Sequence, residues 1–365
     1  MSKQLERPFE YLRKKDGTSF PKETINRWYE ARAYVLDKLK DVAIGPLTKE
    51  HLHVVVAGDT PLMLTATRQL ALSCHYANFK EDPILNRTVI TLVSKNKAII
   101  EELKKEEYLG NLPDHIQHSL FGAKPVNDDS FLDIELQVVE EWNPKDTEGI
   151  LKLSEEDART FLGTKSPEEI YTIDTSMAVL AGRIYSLGTM ISNLPFEDIH
   201  CPSRYALALD FFQHGLLRES IHPLVNEELF KTDMTLVRSN LSSIFCTDCF
   251  HSRAKGLEKD CKNSKNPWED YIEALSMSEH ARWTTEKLVM GFRALNDQER
   301  IHEERLFSSK RALYRKQLKN NPADPVHIDI CSFADLRRIL PEDLKYDSFL
   351  MLAIPKIFER IKNPL

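Results

Sequence analysis

The sequence predicts an α/β protein: a doubly wound, mainly parallel sheet over about 48–255, then a mostly α-helical module over 268–365. Three observations carry this. Short Val- and Ile-rich runs alternate with helix-patterned stretches through the first two thirds, as βαβ units require. A charged stretch with Gly, Asn and Ser, "KGLEKDCKNSKNPW" at 255–268, interrupts that alternation and reads as a linker over 256–267. Beyond it helical periodicity dominates, punctuated by Pro322, Pro325 and Pro341.

Taken in order, residues 22–41 form an amphipathic helix within an N-terminal extension, 1–47. Ile25, Tyr29, Ala33 and Leu36 make one apolar stripe with Trp28 beside it. A buried-type strand follows at 52–57. Gly58, Asp59 and Thr60 make its turn, and Pro61 suits the first position of a helix running to about Cys74. "RTVITLVSKN" at 87–96 is a second strand, followed by the charged helix "KAIIEELKKEEYL". Further strands are expected at 133–141, 169–174 and 242–246, with a helix at 175–191 and an irregular insertion at 110–130. The last hundred residues predict helices over 268–292 and 297–320, then two more in "SFADLRRIL" and "SFLMLAIPKIFERI".

Bulk properties exclude several classes. A formal charge of -7 argues against a general nucleic-acid or anionic-membrane binder. No apolar run approaches the roughly 20 residues that span a bilayer. The opening "MSKQLERPFEYLRKKDG" is charged throughout and reads as neither a signal nor a transit peptide. Six cysteines in 365 residues are too sparse for a disulfide scaffold, so reduced thiols and a cytoplasmic location are expected.

Candidate sites in the sheet domain follow from its topology, because ligands sit at the carboxyl ends of parallel strands. Gly58, Asp59 and Thr60 end the first strand at a helix N-terminus, whose free amides favour an anion. Ser94 and Lys95 follow the second strand, where they could meet a phosphorylated ribose, with an ordinary helix-start position the alternative role for Lys95. Asp174, Thr175 and Ser176 occupy a third such switch, with helix capping the alternative role for Asp174. The Gly58 run resembles the nucleotide-binding turn of the TrkA-type, Rossmann-like family of potassium-transport regulators, over about two βα units. G-x-G-x-x-G is absent, and Pro61, Leu62 and Met63 stand where that family has small residues. The resemblance implies a nucleotide or dinucleotide as ligand; a purely structural scaffold is the alternative.

Cys246, Cys249, His251 and Cys261 could complete a tetrahedral zinc site, but their spacing fits no specific pattern. Buried thiols acting as small hydrophobes are the preferred reading, so no metal is expected. Neither G-x-S-x-G, H-E-x-x-H nor a P-loop occurs. His280 with Glu279 and Glu286 could do acid–base work, although a His beside acids on a helix more often has a structural role.

In "SMSEHARWTTEKLVMGFRA", 276–294, Glu279, His280, Arg282, Trp283, Glu286, Lys287, Gly291 and Phe292 fall in an ordered pattern. Downstream come Lys310, His327, "SFADL", "LPEDLKYDSF" and "IPKIF". This order resembles the ryanodine-receptor (RyR) domain family over about 268–361. A longer basic connection at 310–325, and Phe292 where Trp is usual, are departures. Helical spacing puts Ala281, Thr285, Leu288 and Phe292 on one face, with His280, Trp283 and Lys287 on the other. A flat aromatic, an imidazole and a cation can stack a base and meet a phosphate. The ligand-contact candidates are therefore Glu279, His280, Arg282, Trp283, Lys287, Arg293, Lys310 and His327. The alternative has Trp283 packed on the closing helix and His280 satisfying a backbone carbonyl.

The resemblance implies a soluble regulatory protein that senses a nucleotide-type small molecule and signals it to a protein partner. An enzyme using a nucleotide or NAD under control of the RyR module is the first alternative. An interaction scaffold is the second, and self-association is compatible with all three.

Overall fold

The computed structural model describes residues 21–39, 42–49, 51–57, 62–80, 86–93, 97–98, 101, 114–117, 132–139, 158–162, 245–246, 248–321, 323–348 and 351–352. Helix α1, Lys22–Leu39, buries Ile25, Trp28, Ala31 and Val35 against helix α2, Leu62–Ser73. The step of three and four between those residues makes one continuous stripe. Buried hydrogen bonds fix the docking. Trp28 Nε1 donates to Gln69 Oε1 at 3.2 Å, and the Arg32 guanidinium grips Asp248 through two bonds of 2.9 and 2.5 Å.

Five strands pair in one sheet: β1 His53–Ala57, β2 Thr88–Val93, β3 Asp114–Gln117, β4 Ile134–Val139 and β5 Ala158–Leu162. Their order is β3-β4-β2-β1-β5 and every pairing is parallel. The first strand is thus interior, with chain continuing to both sides of it. Val54, Val56, Ile90, Leu92, Ile134 and Leu136 are buried, as apolar runs in parallel sheets require. The β1–β2 crossover passes through α2 and a 3-10 turn, Ala77–Lys80. The connections after β2, β3 and β4 lie mostly outside the described residues, as do the expected strand at 169–174 and helix at 175–191.

Several elements depart from expectation. β3 falls inside the stretch read as an irregular insertion, and β5, "ARTFL", was not anticipated. Both are short, and one carries Asp and His, so neither shows the Val-rich signal of β1. The expected strand at 242–246 ends in helical turn at Phe245 and Cys246. A hydrophobic run of five residues fits strand or buried helix equally, and burial of Phe245 and Cys246 satisfies either.

Helix α3, Phe250–Asp260, occupies the first half of the stretch read as a linker. Gly256 lies against the backbone at Gly45: a Cβ on Gly256 would stand 2.3 Å from the Ile44 carbonyl oxygen. Asp260 then accepts from the amide of Leu47 and the hydroxyl of Thr48, pinning the same loop. The connection proper is 261–266.

The C-terminal helices are α4 Pro267–Asp270, α5 Ile272–Val289, α6 Asp297–Arg305, α7 Ser308–Lys319 and α8 Phe333–Ile339. The single helix expected over 297–320 is broken at Leu306 and Phe307, whose backbones are extended. Arg311 satisfies the end of α6 by donating to the carbonyls of Glu303 and Glu304 at 3.1 and 3.0 Å. α5 packs on α2 and the 3-10 turn, and Leu288, Phe292 and Ile330 join the same apolar cluster as Val54, Ile90 and Leu136. No helix among the described residues is long and apolar enough to cross a membrane.

Candidate functional site

The signature stretch folds as α5 and its terminator. Of its 18 helical residues 14 are buried, so the helix has no free polar face of the kind its spacing suggested. Gly291 adopts φ 84°, the left-handed conformation that glycine tolerates without strain. The amides of Phe292 and Gly291 turn back to the carbonyls of Lys287 and Leu288, both at 2.9 Å, a Schellman stop. Phe292 then enters the core, 3% exposed. The Gly-aromatic pair is therefore a helix terminator and its anchor.

The charged members of the stretch divide into two groups. Arg253 of α3, Glu279, Arg282, Glu286 and Lys287 form a chain of alternating charge with links of 2.8, 2.9, 2.7 and 2.5 Å. The first four are 2% exposed or less. Burial works to raise the Glu279 and Glu286 carboxyls. The flanking cations overcome it and hold both below the usual carboxylate range. Arg282 lies between two carboxylates at the base of the module, with its guanidinium occupied by them. Arg293 is likewise engaged, bidentate to Glu299 at 2.7 and 2.8 Å and to Asp324 at 2.8 and 2.6 Å. Lys310 stands exposed on α7 and makes no hydrogen bond or ion pair among the described residues.

The second group surrounds Trp283, which is only partly buried against the core. Lys287 Nζ lies 5.2 Å from the centre of its ring, a cation–π distance. His327 meets it edge-on at 4.8 Å, and His280 lies parallel to it at 6.3 Å. Phe333, at the start of α8, closes on the far side of His280 at 5.8 Å.

The two imidazoles have opposite chemistry. His280 faces two acceptors: Nε2 donates to the Cys331 carbonyl at 2.9 Å, and Nδ1 lies 3.5 Å from Asp347 Oδ2. Burial works against a charged ring, but these partners outweigh it and raise His280 to about 10. Burial pushes Asp347 up, and the imidazolium beside it pulls back; the charged pair is the state both acceptors favour. His327 Nδ1 instead accepts from the Asp329 amide at 3.4 Å. Burial, then Lys319 and Lys287, hold it well below the ordinary imidazole value. Asp329 is pushed up to about 7 by burial and by Asp343, with His280 opposing. The site thus presents an imidazolium, a neutral imidazole and an ammonium around one indole, with the Asp329 carboxyl 3.7 Å behind His327.

Sequence reasoning named Trp283, His280, Lys287 and His327, and the structure brings all four together. It did not single out Asp329, Asp347, Phe333 or Arg253, which reach the site from other elements; Phe333 and Asp347 lie in the quoted stretches "SFADL" and "LPEDLKYDSF", while Asp329 and Arg253 follow no local pattern. Gly58, Asp59, Thr60, Ser94, Lys95, Asp174 and Ser176 lie outside the described residues.

The cysteines sit apart. Cys246 and Cys249 are fully buried, and Cys249 Sγ contacts the carbonyls of Leu72, Ser73 and Phe245 at 3.5–3.7 Å. Burial pushes Cys249 up to about 12 and raises Cys246, which disfavours thiolates. Cys261 caps the other end of α3. Among the described residues no three His, Cys, Asp or Glu side chains gather to hold a metal ion. Compared with family models, curated proteins and solved structures, the chain matches none.

Proposed function

We propose that this protein is a non-catalytic sensor of a nucleotide-type small molecule, built from a Rossmann-like sheet domain and a C-terminal module of the RyR type. The observation that carries the reading is the Trp283 cluster. A partly exposed indole sits within reach of an ammonium and two histidines, one charged and one neutral. A purine or nicotinamide ring would stack on Trp283. Positive charge for a phosphate comes from Lys287 and His280, each of which shares its charge with one carboxylate, Glu286 and Asp347, and neutral His327 offers a ring nitrogen to a base edge. The parallel sheet, with β1 interior and chain on both sides of it, supports the second half of the reading. Strand order of that kind creates a switch point where ligands bind. Signalling to a protein partner, and action in the cytoplasm, belong to the same proposal.

Calorimetry against AMP, cyclic mononucleotides, NAD and ADP-ribose tests it directly. Saturable binding of at least one ligand without turnover is expected, and Trp283→Ala should weaken it roughly 5- to 150-fold, the range for one base–aromatic stack. Silence from every ligand, or full affinity in a folded Trp283→Ala variant, overturns the proposal.

A further inference from the structure

His327 opens a turn, 327–330, between α7 and α8. The Ile330 amide donates to the His327 carbonyl at 3.2 Å, and the His327 amide donates to the Arg293 carbonyl at 3.0 Å. Val326 before the turn and Ile330 at its end are both 2% exposed. The backbone that carries the imidazole is therefore fixed at both ends.

The same turn fixes the ring. Nδ1 accepts from the Asp329 amide, two residues on, at 3.4 Å. An Asn or Asp side chain makes this bond at the start of a turn; here an imidazole nitrogen takes the place of the oxygen. A nitrogen that accepts from an amide carries no hydrogen of its own. The ring is neutral, because burial and then Lys319 and Lys287 oppose a charge on it. Neutral imidazole holds one hydrogen, which must then lie on Nε2. The Asp329 carboxyl makes a competing demand, since it lies 3.7 Å from the same Nδ1 and, once ionised, would favour hydrogen there. Burial and Asp343 push that carboxyl up to about 7, which weakens the demand at neutral pH.

Nε2 makes no hydrogen bond among the described residues, and the side chain keeps 10% of its surface. The ring stands edge-on to Trp283 at 4.8 Å and to Phe292 at 6.0 Å, so the free donor belongs to the wall around the indole. Its neighbours are engaged: His280 uses Nε2 on the Cys331 carbonyl and turns Nδ1 to Asp347, while Lys287 holds Glu286.

We infer that His327 Nε2–H is the specificity-determining donor of the Trp283 site, and that the ligand's ring meets it with an accepting nitrogen, as an adenine edge offers. The inference rests on the nucleotide reading above. Because the turn holds the ring in place beforehand, recognition requires no reorientation of it.

Two measurements test this. In the ligand-free protein at neutral pH, a long-range proton–nitrogen correlation spectrum should place the His327 hydrogen on Nε2; hydrogen on Nδ1 overturns the inference. Calorimetry then compares AMP with three deaza analogues, in each of which C–H replaces one accepting ring nitrogen. One analogue should bind roughly 3- to 10-fold more weakly, the effect of one hydrogen bond. His327→Asn keeps an acceptor for the Asp329 amide and removes the Nε2 donor, so it should bind all four alike. Equal binding of all four by the wild type, or undiminished discrimination by a folded His327→Asn variant, overturns the inference alone. Failure of AMP itself also overturns it, and the nucleotide reading is then decided by cyclic mononucleotides, NAD and ADP-ribose.

Discussion

His280 and His327 flank the same indole, yet the protein holds one charged and the other neutral. Burial opposes charge on both rings; two acceptors outweigh it at His280, while at His327 the nearby positive charge of Lys319 and Lys287 adds to it. The pH dependence has opposite sign at the two sites. His280 is raised from 6.5 to about 10, so its stabilisation is complete below pH 6.5 and is lost as pH rises through 10. His327 is lowered from 6.5, so its neutral burial stabilises above that value and loses ground as pH falls beneath it. A nuclear magnetic resonance titration between pH 6 and 8 should find the His280 ring protonated and the His327 ring neutral throughout. Both rings titrating together near 6.5 would contradict this assignment. The pattern was half legible beforehand: the sequence named both histidines, but Asp347 and the Cys331 carbonyl lie 67 and 51 residues from His280 and give no local signal.

At the level of elements, the tightest contact is between α3 and the loop before β1. Gly256 and Gly45 allow two backbones to meet, and a Cβ on either would fall within 2.3 Å of a carbonyl oxygen. Neither oxygen belongs to a side chain that could swing aside. Gly256→Ala would ordinarily favour an exposed helix by about 1 kcal/mol. Here the clash dominates, and the variant should lose about 1–3 kcal/mol of stability in urea unfolding. Read from sequence, Gly256 belonged to a charged, glycine-bearing linker, because the composition of a helix end and of a loop is the same. α5 shows the converse. Its existence and its stop at Gly291 were readable from periodicity and from glycine. The burial of 14 of its 18 residues was not, because Arg253 neutralises Glu279 from another helix.

Across the whole molecule, one apolar cluster runs from Ala31 and Val35 through the sheet to Leu288, Phe292 and Ile330. A hydrogen-bonded charge chain crosses the same boundary through Arg253 and Glu279. Units that share a core cannot lose it separately. Hydrogen exchange in denaturant should therefore release the amides of β1, β2 and α5 in one cooperative step. Release of α5 at a distinctly lower denaturant concentration would show the C-terminal module unfolding alone.

The sequence by itself determined the parallel Val-rich strands, the periodic helices, the glycine stop and the grouping of Trp283 with Lys287 and His280, because each depends on residues within a few turns of one another. Tertiary structure alone decided how many carboxylates each cation meets: two for Arg282 and for Arg293, one for Lys287 and for His280 beside the indole. Arg282 and Arg293 carry the same guanidinium that would meet a phosphate, but carboxylates packed against them already hold it. Spacing along a chain records which side chains share a helix face, while neutralisation is set by what a distant segment brings to that face.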